Sequence, residues 1–152
     1  MRILMVCLGN ICRSPMAEYV LRHLAARASV GDQVMVDSAA TSRYQIGETP
    51  HHGTRRVLAA HGISCGDHRA RQLTRADYER YDLIIGMDDE NRYDIMRILR
   101  KDPKGKVHLL LDWSPAPRAI ADPWYTGDFQ TTYDDVLEGC STLLAWILAG
   151  CS

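Results

Sequence analysis

The sequence predicts a single α/β domain: a doubly wound, Rossmann-like fold with a four-stranded parallel sheet flanked by helices. Three observations predict it. Four short aliphatic runs read as strands, stretches of helical apolar period alternate with them, and no repeat, low-complexity tract or linker divides the 152 residues. The domain is therefore expected to span residues 1–152. Right-handed crossovers put helices on both faces of such a sheet, and ligands bind at the C-terminal ends of its strands.

Residues 2–7 form the first aliphatic run, and Ser14 to about Val30 follows as a helix with Met16, Ala17, Val20, Leu21, Leu24 and Ala25 on one face. Val34–Ser38 is the second strand. A long polar loop from Ala39 to Pro50 leads into a helix from His51 to His61, which Gly62 ends. Thr74 is expected to cap a short helix reaching Tyr81. Asp82–Met87 is then a buried strand, and Asp88–Lys101 a helix with apolar Ile95, Met96, Ile98 and Leu99. Val107–Leu111 supplies the fourth strand. An irregular, proline-bearing stretch to Gly127 precedes a closing helix from about Asp128 to Ala149.

Composition narrows the function. Hydrophobic residues are 46% and charged residues 24%, the balance of a globular chain rather than a disordered or fibrous one. Eighteen basic side chains against nineteen acidic ones leave a formal charge of −1, so no broad footprint for nucleic acid or anionic membrane is expected. No apolar run approaches the ~20 residues of a membrane span, and the first residues end at Gly9-Asn10 without a small-residue cleavage site, which points to the cytoplasm. Five cysteines are too sparse for a disulfide scaffold and are expected as reduced thiols. Without a CxxC pair or HExxH, and with His51-His52 lacking a cysteine cluster, no metal is expected. GxGxxG and GxxxxGK[ST] are absent too, so no nucleotide cofactor is expected.

The chemistry concentrates in Cys7-Leu8-Gly9-Asn10-Ile11-Cys12-Arg13-Ser14-Pro15. Five residues between Cys7 and Arg13 suffice to wrap a semicircle of inward-facing amides, with Gly9 and Asn10 best able to take left-handed dihedrals. Pro15 suits a first helical turn, so the free N–H groups and positive dipole end of that helix face the same cup. A tetrahedral oxyanion fits there, and Arg13 closes the cup with a planar fork matched to two phosphate oxygens. Such surroundings favour a thiolate at Cys7, in line to attack phosphorus, and Ser14 is placed to donate its hydroxyl to the sulfur. A cysteine at the end of a buried strand is more often a small hydrophobe, and Cys-x5-Arg occurs by chance. The strand-loop-helix setting, the Gly-Asn pair and the following Ser-Pro together outweigh that reading.

Residues 6–18, Val-Cys-Leu-Gly-Asn-Ile-Cys-Arg-Ser-Pro-Met-Ala-Glu, resemble the signature of the low-molecular-weight protein tyrosine phosphatases. Further matches follow in order: Asp37–Ser42, His61-Gly62-Ile63, Ala70-Arg71-Gln72, Met87-Asp88 and Asp122-Pro123-Trp124-Tyr125. The resemblance implies a metal-independent enzyme acting on a phosphotyrosine-containing protein, releasing inorganic phosphate and passing through a phosphocysteine on Cys7. It makes Asp122 the general acid and then the base for water; on its own, an aspartate before proline is as readily a turn former. It also gives Asn10 a strained conformation held by hydrogen bonds with Ser14, Ser38 and His68. Asp88 is placed near the rim, where helix capping explains it equally well.

Tyr44, Trp124 and Tyr125 are candidates for an aromatic slot around the phosphate site, deep enough to favour phosphotyrosine over the shorter phosphoserine. Related phosphoarginine phosphatases carry threonine where this chain has Ile11, which favours the tyrosine-directed branch. Trp124 stands where the family often has tyrosine. Cys12 is a candidate redox partner for Cys7, the resemblance favouring a reversible disulfide over a passive thiol; Cys65, Cys140 and Cys151 have no such context. Two other functions compete. A thiol-dependent arsenate reductase needs further cysteines after the third strand, and none lies between Met87 and Asp112; a silent phosphate-binding module is disfavoured by Cys7, Arg13 and Asp122 occurring together.

Overall fold

The computed structural model describes residues 1–150, so Cys151 and the end of the expected 1–152 domain lie outside the described residues. Four parallel strands, β1 (Arg2–Cys7), β2 (Met35–Ala40), β3 (Leu83–Gly86) and β4 (Val107–Leu109), form one sheet in the order β2-β1-β3-β4. Six helices accompany them: α1 (Arg13–Arg27), α2 (His52–Ala59), α3 (Asp77–Arg80), α4 (Asp89–Leu99), α5 (Pro123–Thr126) and α6 (Phe129–Leu148). The fold is the doubly wound α/β sheet the sequence predicts. Among the described residues no helix is long and apolar enough to cross a membrane.

The two faces of β1 follow its two-residue period. Ile3, Met5 and Cys7 join Met16, Leu21, Val136 and Leu143 in a core under α1 and α6. Leu4 and Val6 join Tyr78, Tyr81, Ile95 and Leu99 in the core under α3 and α4. β1 sits between β2 and β3, where the strand order reverses direction, so its C-terminal end opens into the crevice of a doubly wound sheet. Cys7 is the last residue of that strand.

Several boundaries differ from expectation. β2 runs to Ala40 rather than Ser38, because Ala39 and Ala40 pair with Val6 and Cys7 along the full length of β1. α1 ends at Arg27, where Ser29 turns to a φ of 61° and its amide bonds Ala26 O. Thr74 does not cap α3 with its side chain: its amide and hydroxyl both donate to Asp77 Oδ2, and its carbonyl accepts the Asp77 amide at 3.1 Å. β4 stops at Leu109, and Leu110–Trp113 coil into a 3-10 turn as Asp112 folds back to accept the Leu109 amide at 2.9 Å. The stretch expected to be irregular to Gly127 contains α5, with Asp122 accepting Trp124 N at 3.0 Å and Pro123 in the first turn.

Candidate active site

The loop between β1 and α1 encloses Cys7 with nearly every side chain buried. Cys7 is 3% exposed, Asn10 and Ser14 fully buried, and Arg13 2% exposed. Asn10 adopts a φ of 59°, the left-handed conformation that asparagine tolerates better than most side chains. Gly9 departs from expectation, since its φ is not positive. Its lack of a side chain serves space instead, because a Cβ there would stand 3.3 Å from Gln45.

Hydrogen-bond directions around Asn10 are settled by groups that can only donate or only accept. The Arg71 amide donates to Asn10 Oδ1 at 3.1 Å, which fixes the side-chain amide the other way round toward the serines. Its Nδ2 then donates to Ser14 Oγ at 2.8 Å and Ser38 Oγ at 2.9 Å. Each serine keeps its own proton for its other partner: Ser14 Oγ is 3.0 Å from Cys7 Sγ, and Ser38 Oγ donates to Glu18 Oε1 at 2.5 Å. The Ser14 amide also points at the sulfur, at 3.4 Å. His68 Nε2 donates to the Asn10 carbonyl at 3.0 Å, so its proton sits on that nitrogen. Burial lowers the His68 pKa, and the 3.7 Å approach of its Nδ1 to Glu18 is accordingly not an ion pair at neutral pH. Burial also pushes the Glu18 carboxyl above its ordinary range, against the pull of Ser38 and Arg22.

Arg13 opens α1 with its guanidinium buried. Its Nη1 donates to Asp88 Oδ2 at 2.6 Å and to the Ile120 carbonyl at 2.9 Å, and its Nη2 faces Asp122 Oδ2 at 3.4 Å. Burial opposes its charge but is outweighed by Cys7, Asp88 and Asp122, which together raise its pKa. Ile120 N donates to Met87 O at 2.9 Å, tying the Asp122 loop to the end of β3. Asp122 thereby comes within reach of the guanidinium, 109 residues along the chain from it.

A pocket of about 240 Å³ opens above the sulfur, lined by Cys7, Leu8, Gly9, Ile11, Cys12, Asp122 and the rim residues Tyr44, Gln45, Trp124 and Tyr125. Tyr44 is 81% exposed, Trp124 54% and Tyr125 75%, a considerable apolar surface standing free around a narrow floor. Cys12 lies in the lining, and burial, together with Cys7 and Asp122, pushes its thiol up to about 12.

The structure thus brings residues 7–14, Ser38, Tyr44, His68, Asp122, Trp124 and Tyr125 into or against one site, and Asp88 against its Arg13. Glu18, Gln45 and the Arg71 amide complete it. Glu18 was detectable as a charge on the apolar stripe of α1, one turn after Ser14. Arg71 contributes a backbone amide, for which its side chain is no signal; the side chain is held away by Asp77, itself fully buried, at 3.1 and 3.2 Å.

Comparison with known proteins gives a consistent result. Residues 2–149 match the family described as low molecular weight phosphotyrosine protein phosphatase. The chicken (Gallus gallus) low molecular weight phosphotyrosine protein phosphatase is 41% identical over 147 residues, 93% of this chain and 92% of the other. The Bacillus subtilis low molecular weight protein-tyrosine-phosphatase YfkJ is 39% identical over 147 residues, 95% of this chain and 94% of its own. The crystal structure of YfkJ superposes with a TM-score of 0.95 over 100% of this chain and 97% of that one, at 38% identity.

Proposed function

Because the chain belongs to the low molecular weight phosphotyrosine protein phosphatase family, we propose that it hydrolyses phosphotyrosine in proteins through a phosphocysteine on Cys7. The observation that carries this reading is that Cys7 and Asp122 line one pocket while two buried groups behind it reach them, the Ser14 hydroxyl 3.0 Å from Cys7 Sγ and the Arg13 guanidinium 3.4 Å from Asp122.

The Cys7 thiolate attacks phosphorus as the bond to the phenolic oxygen breaks, and Asp122 delivers a proton to that oxygen. The loop amides and Arg13 hold the equatorial phosphoryl oxygens while charge spreads over them. Water then attacks phosphorus, Asp122 takes its proton, and the sulfur departs as thiolate, releasing inorganic phosphate. The Ser14 proton, kept toward sulfur by the Asn10 amide, stabilises that anion at both steps. Tyr44, Trp124 and Tyr125 supply the walls for the phenyl ring.

Cys12 is the partner for a protective disulfide. Peroxide oxidises the Cys7 thiolate to sulfenic acid with release of hydroxide; Cys12 then attacks that sulfur and water leaves. Burial and the neighbouring Cys7 both oppose ionisation of Cys12 in the reduced enzyme, and the second of these weakens once Cys7 is an uncharged sulfenic acid. A nucleophile that works only when reduced suits the cytoplasm.

Steady-state hydrolysis of phosphotyrosine, with acid-quench trapping of a phosphoenzyme, tests the reading. Chelator-insensitive turnover, a trapped phosphoryl group on Cys7 and loss of both in Cys7→Ser are expected. Turnover that survives Cys7→Ser would overturn it. After a peroxide pulse, Cys12→Ser is expected to recover poorly when thiol is added; recovery equal to that of the unaltered chain removes the disulfide.

A further inference from the structure

We infer that His51 is a positioning residue for the aromatic wall of the pocket, holding Trp124 where it meets the aryl group of the substrate. The inference rests on the reading of the pocket as an aryl-phosphate site and extends it to a residue outside the pocket lining.

His51 touches both halves of the site. Its amide donates to the Ile11 carbonyl at 2.8 Å, anchoring the back of the phosphate loop. Its ring stacks on Phe129 with centroids 5.0 Å apart and planes 22° from parallel, and Phe129 in turn packs against Ile11 and Cys12. Trp124 meets the same imidazole edge-on, at 5.8 Å and 80°. Among the described residues this is the one aromatic contact Trp124 makes, and the indole is otherwise 54% exposed. With its main chain fixed by Asp122 but its side chain held by this contact, Trp124 depends on His51 for its direction.

The imidazole is itself locked. Nδ1 accepts the Gly53 amide at 3.0 Å, which leaves the neutral ring's proton on Nε2, and His52 stacks on it at 4.3 Å. Gly53 permits the arrangement, since a Cβ there would stand 2.5 Å from the Phe129 ring. Burial, with His52 beside it, lowers the His51 pKa, so at neutral pH an uncharged ring faces the indole.

Two variants separate the ring from the cap. His51→Asn keeps an acceptor for Gly53 N and removes the ring; His51→Phe keeps a ring and removes the acceptor. His51→Asn is expected to raise KM for phosphotyrosine about three- to ten-fold, the worth of one edge-to-face aromatic contact, with kcat and inhibition by inorganic phosphate changed less than about two-fold. His51→Phe is expected to restore KM while lowering Tm. Adding Trp124→Ala to His51→Asn is expected to raise KM no further than Trp124→Ala alone. An unchanged KM in His51→Asn, additive effects in the double variant, or phosphate inhibition weakening in step with KM would each overturn the inference while leaving the phosphatase reading intact. Failure of the unaltered chain to turn over phosphotyrosine would overturn both.

Discussion

Asp88 Oδ2 stands 2.6 Å from Arg13 Nη1, while its other oxygen accepts the Asn91 amide at 2.7 Å and starts α4. One carboxylate thus holds the Arg13 guanidinium and caps a helix at once. Of the two readings that sequence leaves level, the helix cap is the one the bonds show, and the second oxygen is on Arg13 while Asp88 stands outside the pocket lining. Since Arg13 also donates to Ile120 O, its fork is oriented before any phosphate arrives.

Asp88→Asn retains a capping oxygen but loses the charge opposite Arg13. It is expected to lower kcat/KM for an aryl phosphate by about ten- to a hundred-fold, the loss of a charge-assisted hydrogen bond. Asp88→Ala is expected to add about 1 kcal/mol of lost stability through the cap. Kinetics together with urea titrations of both variants check this. Equal stability in the two would remove the capping role.

Asp122→Asn is expected to slow hydrolysis of esters with poor leaving groups by about 10²- to 10⁴-fold and those with good leaving groups far less, since a stable phenolate needs no proton. A leaving-group series measures the slope. Uniform slowing across the series would remove Asp122 as the acid.

Asn10 combines a φ of 59° with two donated hydrogen bonds. Asn10→Ala keeps the strain and loses the bonds; Asn10→Gly relieves the strain and loses the same bonds. Both are expected to lose most kcat, with the glycine variant the more stable by about 1 kcal/mol. Equal kcat in Asn10→Gly and the unaltered enzyme would mean that the amide does not govern the Ser14 proton.

His68 makes stability pH-dependent with a definite sign. Burial lowers its pKa below the ordinary 6.5, so the folded chain binds this proton less tightly than the unfolded one. The contribution is complete above about pH 6.5 and is lost as pH falls through the lower folded value. Tm measured from about pH 7.5 to 5 is expected to fall, and His68→Gln, which keeps a donor for the Asn10 carbonyl, to flatten part of that fall. His51 carries the same sign and supplies a further part of the slope.

Gly139 lets α6 pack tightly on the 3-10 turn, since an added Cβ would stand 2.6 Å from Leu110 Cγ. Gly139→Ala is expected to cost about 1–3 kcal/mol through overpacking, read as a lower urea midpoint. A stability equal to or above that of the unaltered chain would show that the turn yields.

Much of this molecule is written locally. The two-residue period of Ile3 to Cys7, the apolar stripe from Met16 to Ala25, and Gly-Asn between a strand and a helix each depend on neighbours a few positions away, so the order of strands and helices and the phosphate loop are legible in the chain itself. Errors arise where a distant partner decides. Ala39 and Ala40 look like loop until β1 pairs with them. Leu110 and Leu111 look like strand until Asp112 turns the chain back onto Leu109. Gly9 reads as a backbone turn residue in the sequence, whereas Gln45 from another loop makes its small size the useful property.

Sequence by itself determined the fold class, the placing of Cys7 at a strand end and the loop that joins that strand to the first helix, because backbone period and loop chemistry are properties of short segments. Only the tertiary structure decided which groups meet. Asp88 reaches Arg13 across 75 residues and the Arg71 amide reaches Asn10 across 61, and these bonds set the direction of a guanidinium and of an amide. Such directions depend on sheet order and on the packing of loops at one edge, which no short segment encodes.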